Sequence, residues 1–364
     1  MENVQGLSAW IDVEEERCYR AFPRKERMNM RYVYLFCMLA SFVTCPLASQ
    51  AQHFMPLNKP HPTGGGPGAI NGGPYPPGFN IETVISGSAL PLLYFGGPVI
   101  SNVKAVVVLW GNNVDPRITT RIGSFYRSVT DSNYVTWLSP QYDTSRTAVN
   151  GLPGTNQKIG AGTFLGTFTI QPAVTQGTID DTAIQAELQN QISGGHLPAQ
   201  DADTLYMVYF PPGLDITAFG ATSCKQFCAY HNFDGLPDPL EPHIFYGVIP
   251  DISAPACFAG CESTPPNPPD LFDSVTTISG HEFEEAITDP FPTPGNTPGF
   301  PQAWNDANGF EIGDLCEITA DITSPLIINR ANTLRSNPGQ EQFRVQSEWG
   351  NDRSRCTTRL WPGN

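Results

Sequence analysis

Apolar positions along the chain fall into separate runs with different periods. Val103-Lys104-Ala105-Val106-Val107-Val108-Leu109-Trp110 is a β-branched run closed by Gly111, which predicts a strand buried on both faces. After Asp115-Pro116, Ile118, Ile122, Phe125 and Val129 recur at helical spacing, so a helix follows. Residues 163–170, Thr-Phe-Leu-Gly-Thr-Phe-Thr-Ile, alternate as a strand does. Asp180 or Asp181 caps the next helix, whose inner face is Ile184, Leu188 and Ile192 and whose end is Gly194-Gly195. Residues 205–210 and 244–249 read as further strands, and 271–289 as a helix stopped by Pro290. From 291 onward turn formers dominate, with short strands expected near 310–312 and 342–347. Early alternation of strands and helices followed by loops predicts a single α+β domain over 81–364, a mixed β-sheet packed by helices.

Composition narrows this further. A chain of 364 residues can bury a substantial core. Its 34 Gly and 35 Pro are too many for a helical bundle, and its 40% hydrophobic content excludes a disordered chain. With 35 acidic and 20 basic side chains the net charge is −15. No basic stripe exists to neutralise phosphates, which argues against nucleic acid and against an anionic membrane surface.

Residues 32–47 form an apolar run behind Arg31, followed by Ser49-Gln50-Ala51. A basic flank, an apolar centre and a small-x-small site predict a signal peptide over 28–51, with 1–27 an upstream extension. The run is too short to span a membrane comfortably. Residues 52–80, rich in Pro and Gly, read as a linker and as a candidate pro-segment. Beyond residue 51 six cysteines remain: Cys224, Cys228, Cys257, Cys261, Cys316 and Cys356. An even count in a secreted chain predicts up to three disulfides, with the pairing open.

The chemistry sits in the last helix, Gly280-His281-Glu282-Phe283-Glu284-Glu285. His281 and Glu285 are four apart and share one helical face. The spacing matches the two ligands of the zinc-peptidase motif H-E-x-x-H, with Glu in place of the second His. Glu282 then stands where a general base takes a proton from water. A third ligand is expected from Asp306-Ala-Asn308-Gly309-Phe-Glu311-Ile-Gly-Asp314, whose Asn308-Gly309 turn returns the chain to the helix. Glu311 is the preferred ligand, with Asp314 as orienting group or alternative. Zinc is the expected ion, with calcium also compatible with so many carboxylates. His231, three residues after Cys228, either reaches this metal or packs beside a disulfide loop, and the packing reading is preferred. His243 and His196 read as structural or exposed. No nucleophile elbow, P-loop or dinucleotide fingerprint is present.

An ordered series of segments resembles the EXORDIUM, or phosphate-induced protein 1, family. It runs from Gly97-Pro98-Val99 and Leu109-Trp110-Gly111 through Leu205-Tyr206-Met207-Val208 to Cys224, Cys228 and His231. It continues with Cys257 and Cys261, Gly280-His281-Glu282, Glu285 and Asp289-Pro290. Trp304, Glu311-Ile312-x-Asp314-Leu315-Cys316, Val345-Gln346, Trp349-x-Asn351 and Cys356 complete it. The resemblance covers roughly residues 95–360 and implies a secreted protein linked to growth responses. Two functions follow as expectations. One is a secreted metal-dependent hydrolase acting on an extracellular peptide or protein. The other is a non-catalytic signalling or cell-wall-associated protein whose helix acids are structural.

Overall fold

The computed structural model describes residues 91–262, 270–292, 298–316 and 343–357, with the backbone of 55–56 and 326–328. The leader at 28–51, the extension at 1–27 and all of the 52–80 linker but residues 55–56 lie outside the described residues. Five strands build the main sheet: β1 (Lys104–Trp110), β2 (Thr163–Ile170), β3 (Thr204–Tyr209), β4 (Phe227–Phe233) and β5 (Phe245–Ile249). β2, β1, β3 and β5 run parallel in that spatial order. β4 joins β5 antiparallel, and the two-residue strand Met55–Pro56 pairs antiparallel with β4.

Side-chain alternation divides the core into two layers. Ala105, Val107 and Leu109 of β1 and Leu205, Met207 and Tyr209 of β3 face one layer. Val106, Val108 and Trp110 of β1 and Tyr206 and Val208 of β3 face the other. The first layer holds helices α1 (Pro116–Thr119), α2 (Ile122–Val129), α3 (Asn133–Thr136), α5 (Pro255–Cys261) and α6 (Leu271–Thr288). The second holds α4 (Asp181–Ser193) and a small sheet of Gly177–Asp180, Leu214–Ala218 and Ala221–Thr222. The fold is α+β, with a mixed sheet packed by helices.

Most predicted elements stand where their patterns put them, with three differences. The helix expected after Pro116 is two, because Thr120 ends α1 and its Oγ1 turns back to Pro116 O at 2.7 Å. Ile118, Ile122, Phe125 and Val129 are nonetheless all buried. Residues 310–312 are not a strand. Asp306 Oδ1 accepts from Asn308 N (2.7 Å) and Phe310 N (2.9 Å), which shapes a tight turn instead. β4 is the third difference: a strand where the cysteine spacing suggested a loop.

Three disulfides resolve the open pairing. Cys224–Cys257 and Cys228–Cys261 tie β4 and the residues before it to α5, and Cys316–Cys356 ties the segment after Glu311 to Arg355–Thr357, which pairs antiparallel with Glu348–Gly350. All six cysteines predicted to pair do so. No helix among the described residues is long and apolar enough to cross a membrane.

Candidate metal centre

Helix α6 starts at Asp270, whose Oδ1 accepts from Phe272 N (2.9 Å) and Asp273 N (3.1 Å). Every residue of the helix except Asp273 is buried. A helix buried all round must satisfy its polar side chains internally. Ser274, Thr276, Thr277 and Thr288 do so by bonding carbonyls three or four residues back. The acids have no such local outlet. Glu282, Glu284 and Glu285 are 0%, 0% and 1% exposed.

Three other segments converge on them. β4 brings His231, which lies opposite Gly247 of β5. The turn at Asp306–Phe310 brings Glu311, Gly313 and Asp314. The segment 343–350 brings Val345, Gln346 and Glu348. Gly313 must be glycine here: a Cβ would stand 2.6 Å from His281 Nδ1 and 2.9 Å from Glu285 Oε1. At Gly280 a Cβ would meet Tyr134 Oη at 3.1 Å and Val345 at 3.3 Å, so these two residues pack closely against the helix there.

The two histidines are oriented alike. His281 Nδ1 lies 3.2 Å from Gln346 Oε1, and Gln346 Nε2 donates to Gly313 O at 2.7 Å. That second bond fixes the amide, so Nδ1–H is the donor to its oxygen. His281 Nε2 is left 3.1 Å from Glu285 Oε1 and 3.8 Å from Asp314 Oδ1, without hydrogen-bond alignment to either. His231 Nε2 lies 3.2 Å from the main-chain oxygen of Asp289. Its Nδ1 faces Glu282 Oε2 at 3.3 Å and Glu285 Oε2 at 3.6 Å. Each ring thus has one nitrogen beside an uncharged oxygen and the other turned onto carboxylates, and His231 Nε2 also lies 3.5 Å from Glu311 Oε1. A lone pair facing a carboxylate is repulsive, so each nitrogen needs a second proton or a cation.

Burial drives the titration of the same groups. Loss of water pushes Glu282 up to about 7 and Glu311 up to about 8, with His231 opposing both. Asp289 is pushed up to about 6 by burial, against bonds from Ala303 N and Asn305. Burial also raises Glu284 and Glu348 well above the carboxylate range. For His231 burial favours the neutral ring, but Glu311, Glu282 and Glu285 outweigh it and raise the pKa well above normal. The same balance, led by Glu285, raises His281. Without a metal, the cluster answers its charge by holding protons.

The residues present fit a cation. Glu282 Oε1, both Glu311 oxygens and His281 Nε2 hold no hydrogen bond, and all three residues are fully buried. Among the described residues, every ion pair of these carboxylates is with a histidine. Two groups have ligand atoms within 4.8 Å of one another: His231, Glu285 and Glu311, and His281, Glu282 and Glu285. His–carboxylate sets of this kind suit zinc.

The geometry therefore rearranges the expected ligand set. His281 and Glu285 meet as their spacing predicts. Glu311 arrives, but groups with His231 rather than His281. His231, read as packing beside a disulfide loop, is inside the cluster. Asp314 orients its neighbours: its N–H donates to Glu285 Oε1 at 3.0 Å, and its Oδ2 accepts from Glu311 N at 3.0 Å. His243 is structural, bridging Asp234 O and Asp238 O, and His196 lies at the surface. Gln346 entered only through the resemblance at Val345-Gln346, and Glu348 carried no signal in the sequence. Glu348 Oε1 accepts from Tyr134 Oη at 2.6 Å, while its Oε2 has no hydrogen bond. The chain matches no protein-family model, no curated protein and no solved structure.

Proposed function

We propose that the chain is a secreted, EXORDIUM-like metal-dependent hydrolase acting on an extracellular peptide or protein. One observation carries the reading: two fully buried histidines lie against carboxylates, and His281 Nε2, Glu282 Oε1 and both Glu311 oxygens in that cluster hold no hydrogen bond. His231, Glu285 and Glu311 would hold a divalent ion, zinc in first place and calcium as the harder alternative. A bound divalent ion supplies Lewis acidity and makes water a nucleophile near neutral pH. Asp289 O and Gln346 Oε1 hold the two rings in the tautomers that ligation requires. Glu282, whose Oε1 has no hydrogen bond, takes the proton from the attacking water. Three disulfides and the leader-like segment at 28–51 support export, since disulfides persist in oxidising compartments.

A second reading has its own support. The clustered acids and histidines are at most 5% exposed, which suits a cation locked in as a structural tie. The chain would then be a non-catalytic signalling or cell-wall-associated protein. Peptide-library hydrolysis by the wild type and by Glu282→Gln separates the two. Hydrolysis by the wild type, lost in a folded Glu282→Gln, is the expected result for the enzyme. No hydrolysis by a metal-loaded wild type favours the structural tie.

A further inference from the structure

We propose that the centre holds two divalent cations bridged by the Glu285 carboxylate. This rests on the metal-centre reading and goes beyond its single ion. The two oxygens of Glu285 face different histidines. Oε1 stands 3.1 Å from His281 Nε2, and Oε2 stands 3.6 Å from His231 Nδ1. Each of these nitrogens is the one its ring does not commit to an uncharged acceptor. The two groups whose ligand atoms come within 4.8 Å of one another contain one histidine each and share Glu285 alone. Glu311 is the third member of the His231 group, its Oε1 3.5 Å from Nε2, and Glu282 is the third member of the His281 group, its Oε2 reaching 3.3 Å from His231 Nδ1.

Unmet atoms stand on both sides of the bridge. Both oxygens of Glu311 on one side, and Glu282 Oε1 and His281 Nε2 on the other, hold no hydrogen bond at full burial. Charge points the same way. Glu282, Glu285 and Glu311 carry three negative charges between neutral rings, so one dication leaves a buried net anion, which is costly. A second dication reverses the sign by one charge. Asp314, whose Oδ1 is 3.8 Å from His281 Nε2, supplies the balancing carboxylate. With the second ion present, Glu282 would be a ligand through one oxygen, leaving its other oxygen for the proton of the attacking water.

The test uses the full-length chain from a secreting host, stripped with chelator, loaded with zinc alone, and desalted. About two zinc ions per chain are expected by elemental mass spectrometry. His231→Ala and His281→Ala should each retain about one. Since either variant can misfold, the wild type loaded with manganese(II) gives a readout without mutation. A carboxylate-bridged pair shows an exchange-coupled electron paramagnetic resonance spectrum. One zinc per wild-type chain, with an isolated-ion manganese spectrum, overturns the pair and leaves the single-ion hydrolase standing. Two zinc ions with an uncoupled manganese spectrum overturn the bridge. No zinc at all, and no manganese or calcium retained under the same loading, overturns both readings.

Discussion

A single buried carboxylate and a buried carboxylate cluster lie on opposite faces of the same sheet, and strand β4 serves both. Tyr230 and Asn232 point to one face and His231 to the other. On the first face Asp181, 4% exposed, accepts from Tyr230 Oη (2.6 Å), Tyr246 Oη (2.8 Å), Asn232 Nδ2 (2.9 Å) and Gln185 Nε2 (2.9 Å). Burial raises its pKa, and these four donors hold the rise in check. Neutral donors are enough to keep one acid inside. On the second face Glu282, Glu284, Glu285, Glu311 and Glu348 crowd together with few donors and several unmet oxygens. The same fold therefore shows what a satisfied structural acid looks like. The His–Glu cluster differs from it in the way a cation site must.

The comparison breaks most sharply at its shared carboxylate. Glu285→Ala should abolish metal retention, on the order of a 100-fold loss of affinity or more, because both ligand groups lose a member. Asp181→Ala should leave metal content unchanged, and equal losses in the two variants would erase the distinction between the faces. Gly313→Ala comes next. Its Cβ would collide with the His281 ring and Glu285, so metal content should fall in a chain that keeps its far-ultraviolet circular dichroism. Gln346→Ala frees the His281 ring from its acceptor and should weaken zinc binding roughly 10–100-fold, read by competition with a chromogenic chelator. Asp181→Ala strands four donors and should cost about 1–3 kcal/mol in denaturant unfolding.

The smallest effect is a pH slope. Glu282, Glu311 and Asp289 are raised to about 7, 8 and 6, and both histidines are raised as well. The metal-free fold then binds more protons than the unfolded chain from about pH 5 to pH 8. Its stability should fall as pH rises through that window. Metal ligation displaces those protons, so the loaded chain should lose this fall. Melting temperatures of stripped and loaded protein across the window check it, and identical slopes would count against ligation.

Much of the frame was legible because its signals are local. The cap at Asp180, the stops at Gly194 and Pro290, and the apolar run of β1 each specify an element within a few residues. The i, i+4 pair of His281 and Glu285 is likewise local. β4 was hidden because all seven of its residues are buried, so Phe-Cys-Ala-Tyr-His-Asn-Phe shows no polar alternation. Missing that strand misplaced His231. Gln346 and Glu348 lie more than 60 residues from His281 in sequence, and only tertiary packing brings them to the helix. The Asp306 turn replaced an expected strand because its side-chain cap outcompetes the short apolar pattern after it.

Anomalous diffraction at the zinc edge from crystals of the zinc-loaded chain tests the central claim most directly. Strong peaks are expected beside the Glu285 carboxylate, about 2.0–2.1 Å from a ring nitrogen of His231 or His281. A well-ordered cluster with no peak there, its histidines paired to carboxylates through protons alone, would contradict the account.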